Sequence, residues 1–274
     1  MSPVGAAVTA ATSLGVTCDA PVVLHDGSNV VVHLRPAPVV ARVATLTASV
    51  RPGIESWFRR DAQVARHAAA RGVLATRPIS PAVHVDGFVV GLWHHEPHDP
   101  DHVVAPGDIA ARLFDLHMAL ADFDGDLPRL GPCDDMERGI DLLTGTVPAS
   151  VQALMRAENE RLGRALADLP AQPVHGDAHP GNLLATSTGL MWNDFEDAWR
   201  GPLGWDLACL ASSTLVDGAA AVAAYPGSVS TEELATCVEL REMFGVCWRF
   251  VVAQRFPDRR AEAEEKLAAW LAGF

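Results

Sequence analysis

The apolar residues of this chain change their period partway along, and that change limits the possible folds more than any other feature. Up to Trp93 they fall mostly in short runs, at 21–24, 30–34, 39–46, 82–85 and 88–93, divided by turn-forming residues. His25-Asp26-Gly27-Ser28-Asn29 separates the first pair of runs and Arg35-Pro36-Ala37-Pro38 the next, while Asp86-Gly87 is a tight hairpin signal between the last two. Short, turn-rich spacers favour antiparallel pairing, because a parallel crossover needs a much longer connection. Residues 54–70 read as one helix within this region, and 3–14 as a short helix of small residues.

The stretch 94–106 carries four histidines, three prolines and several acids, and reads as a linker. Beyond it Ile109, Leu113, Leu116 and Leu120 recur at helical spacing, and further helices are predicted over 151–169, 203–215, 232–254 and 258–271. The segment 173–194 interrupts them with short apolar runs around a polar loop. The expected architecture is α+β, a mainly antiparallel sheet with a helix over residues 1–92, followed by a larger helical lobe over 93–274.

Charge narrows the function classes. The formal net charge is -13, and such a chain lacks the clustered basic face that nucleic acid phosphates require. Lys266 is the sole lysine, so arginine supplies nearly all the positive charge and a P-loop Gly-Lys-Ser/Thr run is absent. The five cysteines are scattered without a Cys-x-x-Cys pair, which fits reduced thiols rather than disulfides or zinc. No basic leader and no membrane-length apolar run is evident, so a cytoplasmic protein without membrane partners is expected.

The chemistry concentrates in Val174-His175-Gly176-Asp177-Ala178-His179-Pro180-Gly181-Asn182-Leu183-Leu184, followed by Asp194-Phe195-Glu196. Phosphoryl transfer needs a carboxylate to orient and deprotonate the incoming hydroxyl, and oxygen ligands to hold magnesium against a triphosphate. Asp177 and Asn182 offer a base and a ligand from one turn. Asp194, at the end of the next predicted strand, offers a second ligand.

This run resembles the catalytic loop of the aminoglycoside phosphotransferase and choline kinase-like family, His-Gly-Asp-x-His-x-x-Asn, with Asp194-Phe195-Glu196 similar to its metal-binding Asp-Phe/Trp-Glu. Gly201-Pro202 and Asp206-Leu207-Ala208 also fit its downstream element. The resemblance implies a two-lobed, protein-kinase-like fold and a kinase that moves the γ-phosphate of ATP, or GTP, onto a hydroxyl of a small molecule. It makes Asp177 the catalytic base and Asn182 and Asp194 the Mg2+ ligands. His175 and Asp206 would brace the loop, and His179 would brace it or touch substrate.

In the first lobe the resemblance implies that the turn carrying Gly27, Ser28 and Asn29 covers the phosphates through backbone N–H groups. Arg42 stands where these enzymes carry a phosphate-pairing lysine, and Asp61 where a helix glutamate orients that cation; arginine's longer reach suits the shorter acid. Val40 would pack on the adenine face, and backbone groups near Leu92 and Trp93 would read the purine edge. Glu196, Asp197, Glu239 and Glu242 are candidates to face a cationic acceptor. Two other readings compete: a catalytically inactive nucleotide-binding regulatory protein of the same fold, and a metal hydrolase using His175, His179 and Asp177.

Overall fold

A computed structural model describes residues 1–274. Helix α1 (Pro3–Ser13) begins where the Ser2 hydroxyl accepts the Gly5 N–H at 3.1 Å, with Pro3 opening the first turn. Strands β1 (Cys18–Asp26), β2 (Asn29–Pro36), β3 (Val39–Ala44), β4 (Val83–Val85) and β5 (Phe88–His94) form one antiparallel sheet in the order β1-β2-β3-β5-β4. Asp86 and Gly87, with φ of 47° and 83°, make the β4–β5 hairpin turn that the dipeptide predicts.

Alternation along these strands divides their side chains between two faces. Val30, Val32, Leu34, Ala41, Val43, Val90 and Leu92 pack on Ala6, Ala7, Ala10 and Ala11 of α1. The other face carries His33, Val40 and Trp93 as direct cross-strand neighbours, with Arg42 opposite Gly91 in the next row. Helix α3 (Glu55–Ala70) is held there by Phe58, which packs with Ile54, Ala44 and Val89.

The run 39–46 ends as a strand at Ala44, and a short helix α2 (Leu46–Val50) follows. The histidine-rich stretch is also more ordered than a linker. His94 completes β5, the His95 ring stacks on His33 at 3.8 Å, and β6 (His98–Asp99) pairs with β8 (Leu183–Thr186). Strand β8 turns back into β9 (Gly189–Trp192), and Thr76 N–H bonds the Trp192 carbonyl at 2.9 Å. These pairings explain why one compact unit comprises Met1–His102 together with Asn182–Glu196, rather than stopping at residue 92.

The second unit comprises Val103–Gly181 and Asp197–Phe274. Its helices are α4 (Pro106–Leu120), α5 (Gly131–Leu142), α6 (Ala149–Ala167), α7 (Leu203–Ala211), α8 (Gly218–Ala223), α9 (Thr231–Arg255) and α10 (Arg260–Leu271). Strand β7 (Gln172–Val174) pairs with β10 (Trp199–Gly201), bringing the chain on either side of the first unit's hairpin back into this one. Met136, Ile140, Met155, Leu162, Trp205, Leu240 and Phe250 belong to its core. No helix of either unit is long and apolar enough to cross a membrane.

Candidate functional site

The predicted residues assemble as two constellations, one in each unit. In the first, the β8–β9 hairpin registers Leu183 against Trp192, so Asn182 and Asp194 stand at the same, open end of one hairpin. Asn193 N–H closes that end on the Asn182 carbonyl at 3.0 Å. Asp194 then adopts φ 63°, a left-handed conformation that costs a non-glycine residue energy and clusters at functional sites. The corner is pinned by Phe195 N–H, which donates to Asp61 Oδ1 at 2.9 Å.

Arg42 reaches into this corner from β3. Its guanidinium donates to Asp61 Oδ2 and Asp194 Oδ1 and lies 3.3 Å from Glu196 Oε2. The Phe58 ring backs it at 4.7 Å and the Trp93 ring at 5.9 Å. Burial opposes its charge, but these carboxylates outweigh burial and hold Arg42 more firmly protonated than a free arginine. Its buried Nε–H has no hydrogen-bond partner. Burial lifts the Asp61 carboxyl to about 7, and the Arg42 ion pair offsets only part of that lift because Asp194 is close by.

Glu196 is the second anchor of the corner. Its carboxylate takes Arg51 Nη1 and Asn29 Nδ2, both at 3.2 Å, while Arg60 Nη1 donates to its backbone oxygen at 3.1 Å. Thr47 Oγ1 donates to Asn29 Oδ1. The side chain of Asn29, the last residue of the predicted phosphate turn, is therefore directed inward. Gly27 N–H bonds the Asn29 carbonyl at 3.1 Å, and the Ser28 carbonyl receives Thr47 N–H at 3.2 Å. Val40 is half-buried, Trp93 is buried, and the Leu92 side chain belongs to the sheet core. The Leu92 carbonyl accepts Ile79 N–H at 2.8 Å, so the segment before β4 already uses that backbone acceptor.

In the second unit the loop after β7 carries His175, Gly176, Asp177 and His179. Gly176 has φ 90°, and a Cβ there would lie 2.0 Å from the Asp197 carbonyl oxygen, so only glycine fits. Trp205 Nε1–H donates to the Gly176 carbonyl at 2.7 Å. Asp206, fully buried on α7, accepts the backbone N–H groups of His175 and Gly176 at 2.8 and 2.9 Å. It also meets His117 Nε2 at 2.9 Å, whose Nδ1 is 2.7 Å from the Tyr225 hydroxyl. A buried chain of side chains thus ends on the backbone of the loop.

Asp177 is engaged at both oxygens. Arg241 of α9 donates to Oδ1 at 2.7 Å, and His179 Nε2 stands 3.3 Å from Oδ2. His179 Nδ1 accepts Gly181 N–H at 3.0 Å, which leaves its proton on the nitrogen facing Asp177. Burial favours a neutral carboxyl here, yet Arg241, His179 and His175 outweigh it and hold Asp177 well below the usual carboxylate range.

The hydrolase reading has no geometric counterpart, since no group of three or more His, Cys, Asp or Glu side chains is placed to hold a metal ion. Two acids proposed to face an acceptor are already engaged: Glu196 is buried on Arg42, Arg51 and Asn29, and Glu239 pairs with Arg161 of α6. Sequence reasoning passed over Arg241, His117, Tyr225, Arg51 and Arg60. Only His117 left a trace, because it falls on the apolar face set by Ile109, Leu113, Leu116 and Leu120.

A family model described as "Phosphotransferase enzyme family" matches residues 22–233. Comparison with curated proteins finds no match. Among solved structures, the GDP and kanamycin complex of APH(2")-IIia is 14% identical, covers 97% of both chains and has a TM-score of 0.67. Amicoumacin kinase hAmiN, in complex with AMP-PNP, Ca2+ and Ami, is 12% identical over 94% of this chain and 93% of that one, with a TM-score of 0.68. Choline kinase LicA from Streptococcus pneumoniae is 16% identical over 97% of this chain and 98% of that one, with a TM-score of 0.66.

Proposed function

This chain belongs to the phosphotransferase enzyme family, and we propose that it is a cytoplasmic kinase moving the γ-phosphoryl group of ATP, or GTP, to a hydroxyl of a small molecule. The fold is the kinase-like one of the aminoglycoside and choline kinases, an antiparallel-sheet lobe with a helical lobe. The observation that carries the reading is the Arg42 corner, where one buried guanidinium spans Asp61 and Asp194 while Asp194 holds a costly backbone conformation.

Asn182 and Asp194 are the proposed cation ligands. An amide carbonyl and a carboxylate at one hairpin end are hard oxygen donors, which fits Mg2+ and leaves further positions to phosphate oxygens and water. A bound divalent cation supplies positive charge to the phosphate oxygens during transfer. Arg42 supplies a second charge through its guanidinium, beside Asp194.

Asp177 is the proposed base. The acceptor O–H proton passes to its carboxylate, the acceptor oxygen bonds to the γ-phosphorus, and the bond to the β–γ bridging oxygen breaks. A nucleoside diphosphate leaves with that electron pair. Asp206, through its bonds to His175 and Gly176, fixes the loop from which Asp177 projects. Acceptors to examine are aminoglycosides, amino alcohols and sugars. Transfer of labelled γ-phosphate from ATP and from GTP to such a panel, with Mg2+ present, tests the reading. Phosphorylation of an acceptor by the wild type but not by Asp177→Asn supports it; equal transfer by both rejects the assignment of the base.

A further inference from the structure

The guanidinium on Asp177 comes from α9, a helix whose sequence offers Glu239 and Glu242 as candidate acceptor contacts and gives no sign of a role for Arg241. Helix α9 starts where the Ser230 hydroxyl accepts Glu233 N–H at 3.0 Å, and the Glu233 carboxylate receives Gly204 N–H at 2.8 Å. The first bond caps α9, and the second fixes its start against the start of α7, the helix that also bears Asp206. Leu240 and Met243, on either side of Arg241, are fully buried. The register of Arg241 is thereby set by the core.

The side chain is then aimed by aromatic rings. Its guanidinium carbon lies 5.8 Å from the Trp205 ring and 5.7 Å from the Phe244 ring, and only 19% of the side chain is exposed. A largely buried arginine is costly unless it is paired, and here its partner is the proposed base. The two contacts on Asp177 also differ. Arg241 holds Oδ1 at 2.7 Å, whereas the His179 ring stands back at 3.3 Å from Oδ2.

We propose that Arg241 is the positioning residue of the transfer reaction, clamping Asp177 Oδ1 so that the carboxylate stays ionised and Oδ2 is the atom that takes the acceptor's proton. This inference rests on the proposed role of Asp177 and adds a division of labour between its oxygens. The strong contact fixes the carboxylate plane, and the weaker one yields to the incoming hydroxyl. Other charged or titratable neighbours are His175 on the same loop, Asp197, and Cys209 and Asp206 of α7. Burial pushes the Cys209 thiol well up, so it stays neutral, and Asp206 is occupied by the loop backbone and His117. Arg241 is therefore the arginine fixed on Asp177, with His179 and His175 adding to its effect.

The test compares wild type, Arg241→Gln and Arg241→Lys in two measurements on the full chain. The first is the titration of the Asp177 carboxyl carbon by NMR, assigned by its absence in Asp177→Asn, which needs no acceptor. Wild type is expected to stay ionised to the acid end of the range. In Arg241→Gln the titration moves up by about one unit or more toward the ordinary value near 4, and lysine restores part of the shift.

The second is the pH dependence of phosphoryl transfer, or of nucleotide hydrolysis with water as acceptor. In Arg241→Gln the acid limb moves upward and kcat falls while KM for nucleotide is unchanged. A purely structural role would lower activity equally at every pH. An unmoved carboxyl titration in a folded Arg241→Gln protein overturns the proposal, and if the glutamine variant does not fold, the lysine variant decides by the same titration. Failure of the wild type to transfer phosphate to any acceptor would count against the enzymatic reading, while the titration still judges the clamp.

Discussion

Each unit of this protein sets a carboxylate against an arginine, fully buried at Asp61 and partly exposed at Asp177, and the two carboxylates respond in opposite directions. Asp61, bonded to Arg42, is pushed up to about 7, whereas Asp177, bonded to Arg241, is held well below the usual carboxylate range. The pairing is similar, so the surroundings make the difference. Arg42 is shared among Asp61, Asp194 and Glu196, and burial prevails at Asp61. Asp177 has Arg241, His179 and His175 around it, and the arginine's charge with the histidine hydrogen bond and field prevails over burial. An ion pair alone does not set protonation; the local ratio of charges does. The contrast suits the proposed tasks, since the proposed base has to be ionised before its substrate arrives.

Variants can break this contrast, and the largest effect is expected in transfer itself. Asp177→Asn should lower the rate by about 10³-fold while nucleotide still stabilises the protein against heating. Retained transfer would show that the low-lying carboxylate is not the base. Next comes the first unit's ion pair. Asp61→Ala leaves Arg42 buried with one partner fewer and frees Phe195 N–H, and it should cost about 3–5 kcal/mol in chemical denaturation. Little change would mean that the corner relaxes around the loss.

Stability against pH separates the two carboxyls by sign. Asp61 has its folded value raised, so its contribution is full below the unfolded value of about 3.9 and is lost as pH rises toward 7. Asp177 has its folded value depressed, so its contribution is present above the unfolded value and is lost as pH falls. Melting curves across the range should show Asp61→Asn flattening the decline between about pH 4 and 7 and Asp177→Asn flattening the acid decline. The same sign for both variants would contradict the contrast. The smallest effect is expected from Tyr225→Phe, which removes one hydrogen bond to His117 at the far end of the Asp206 chain and should cost about 1 kcal/mol.

Much of the first unit could be read from sequence because its signals are local. The Asp86-Gly87 turn and the alternation of Val30, Val32 and Leu34 need no distant partner to be understood. The family resemblance likewise rested on a short ordered run, and the family model matches it. What escaped depends on residues far apart in the chain. Arg241 meets Asp177 from 64 positions away, and nothing near Arg241 distinguishes it from a surface helix residue. Strand β10 is three residues long and exists through its pairing with β7. The short strand His98–Asp99 lay in a stretch whose prolines and histidines suggest a linker, and it is held by its partner β8. The predicted helix over 203–215 ends at Ala211 because Ser212, Ser213 and Thr214 favour a turn, and α8 follows as a separate element.

The central claim is that Asp177 removes a proton from a small hydroxyl compound as the γ-phosphoryl group reaches it. The most direct measurement follows labelled γ-phosphate from nucleotide into an acceptor panel, with wild type and Asp177→Asn side by side and fold verified for both. The account predicts a phosphorylated acceptor with the wild type and almost none with the variant. Equal label transfer by the two proteins would contradict it.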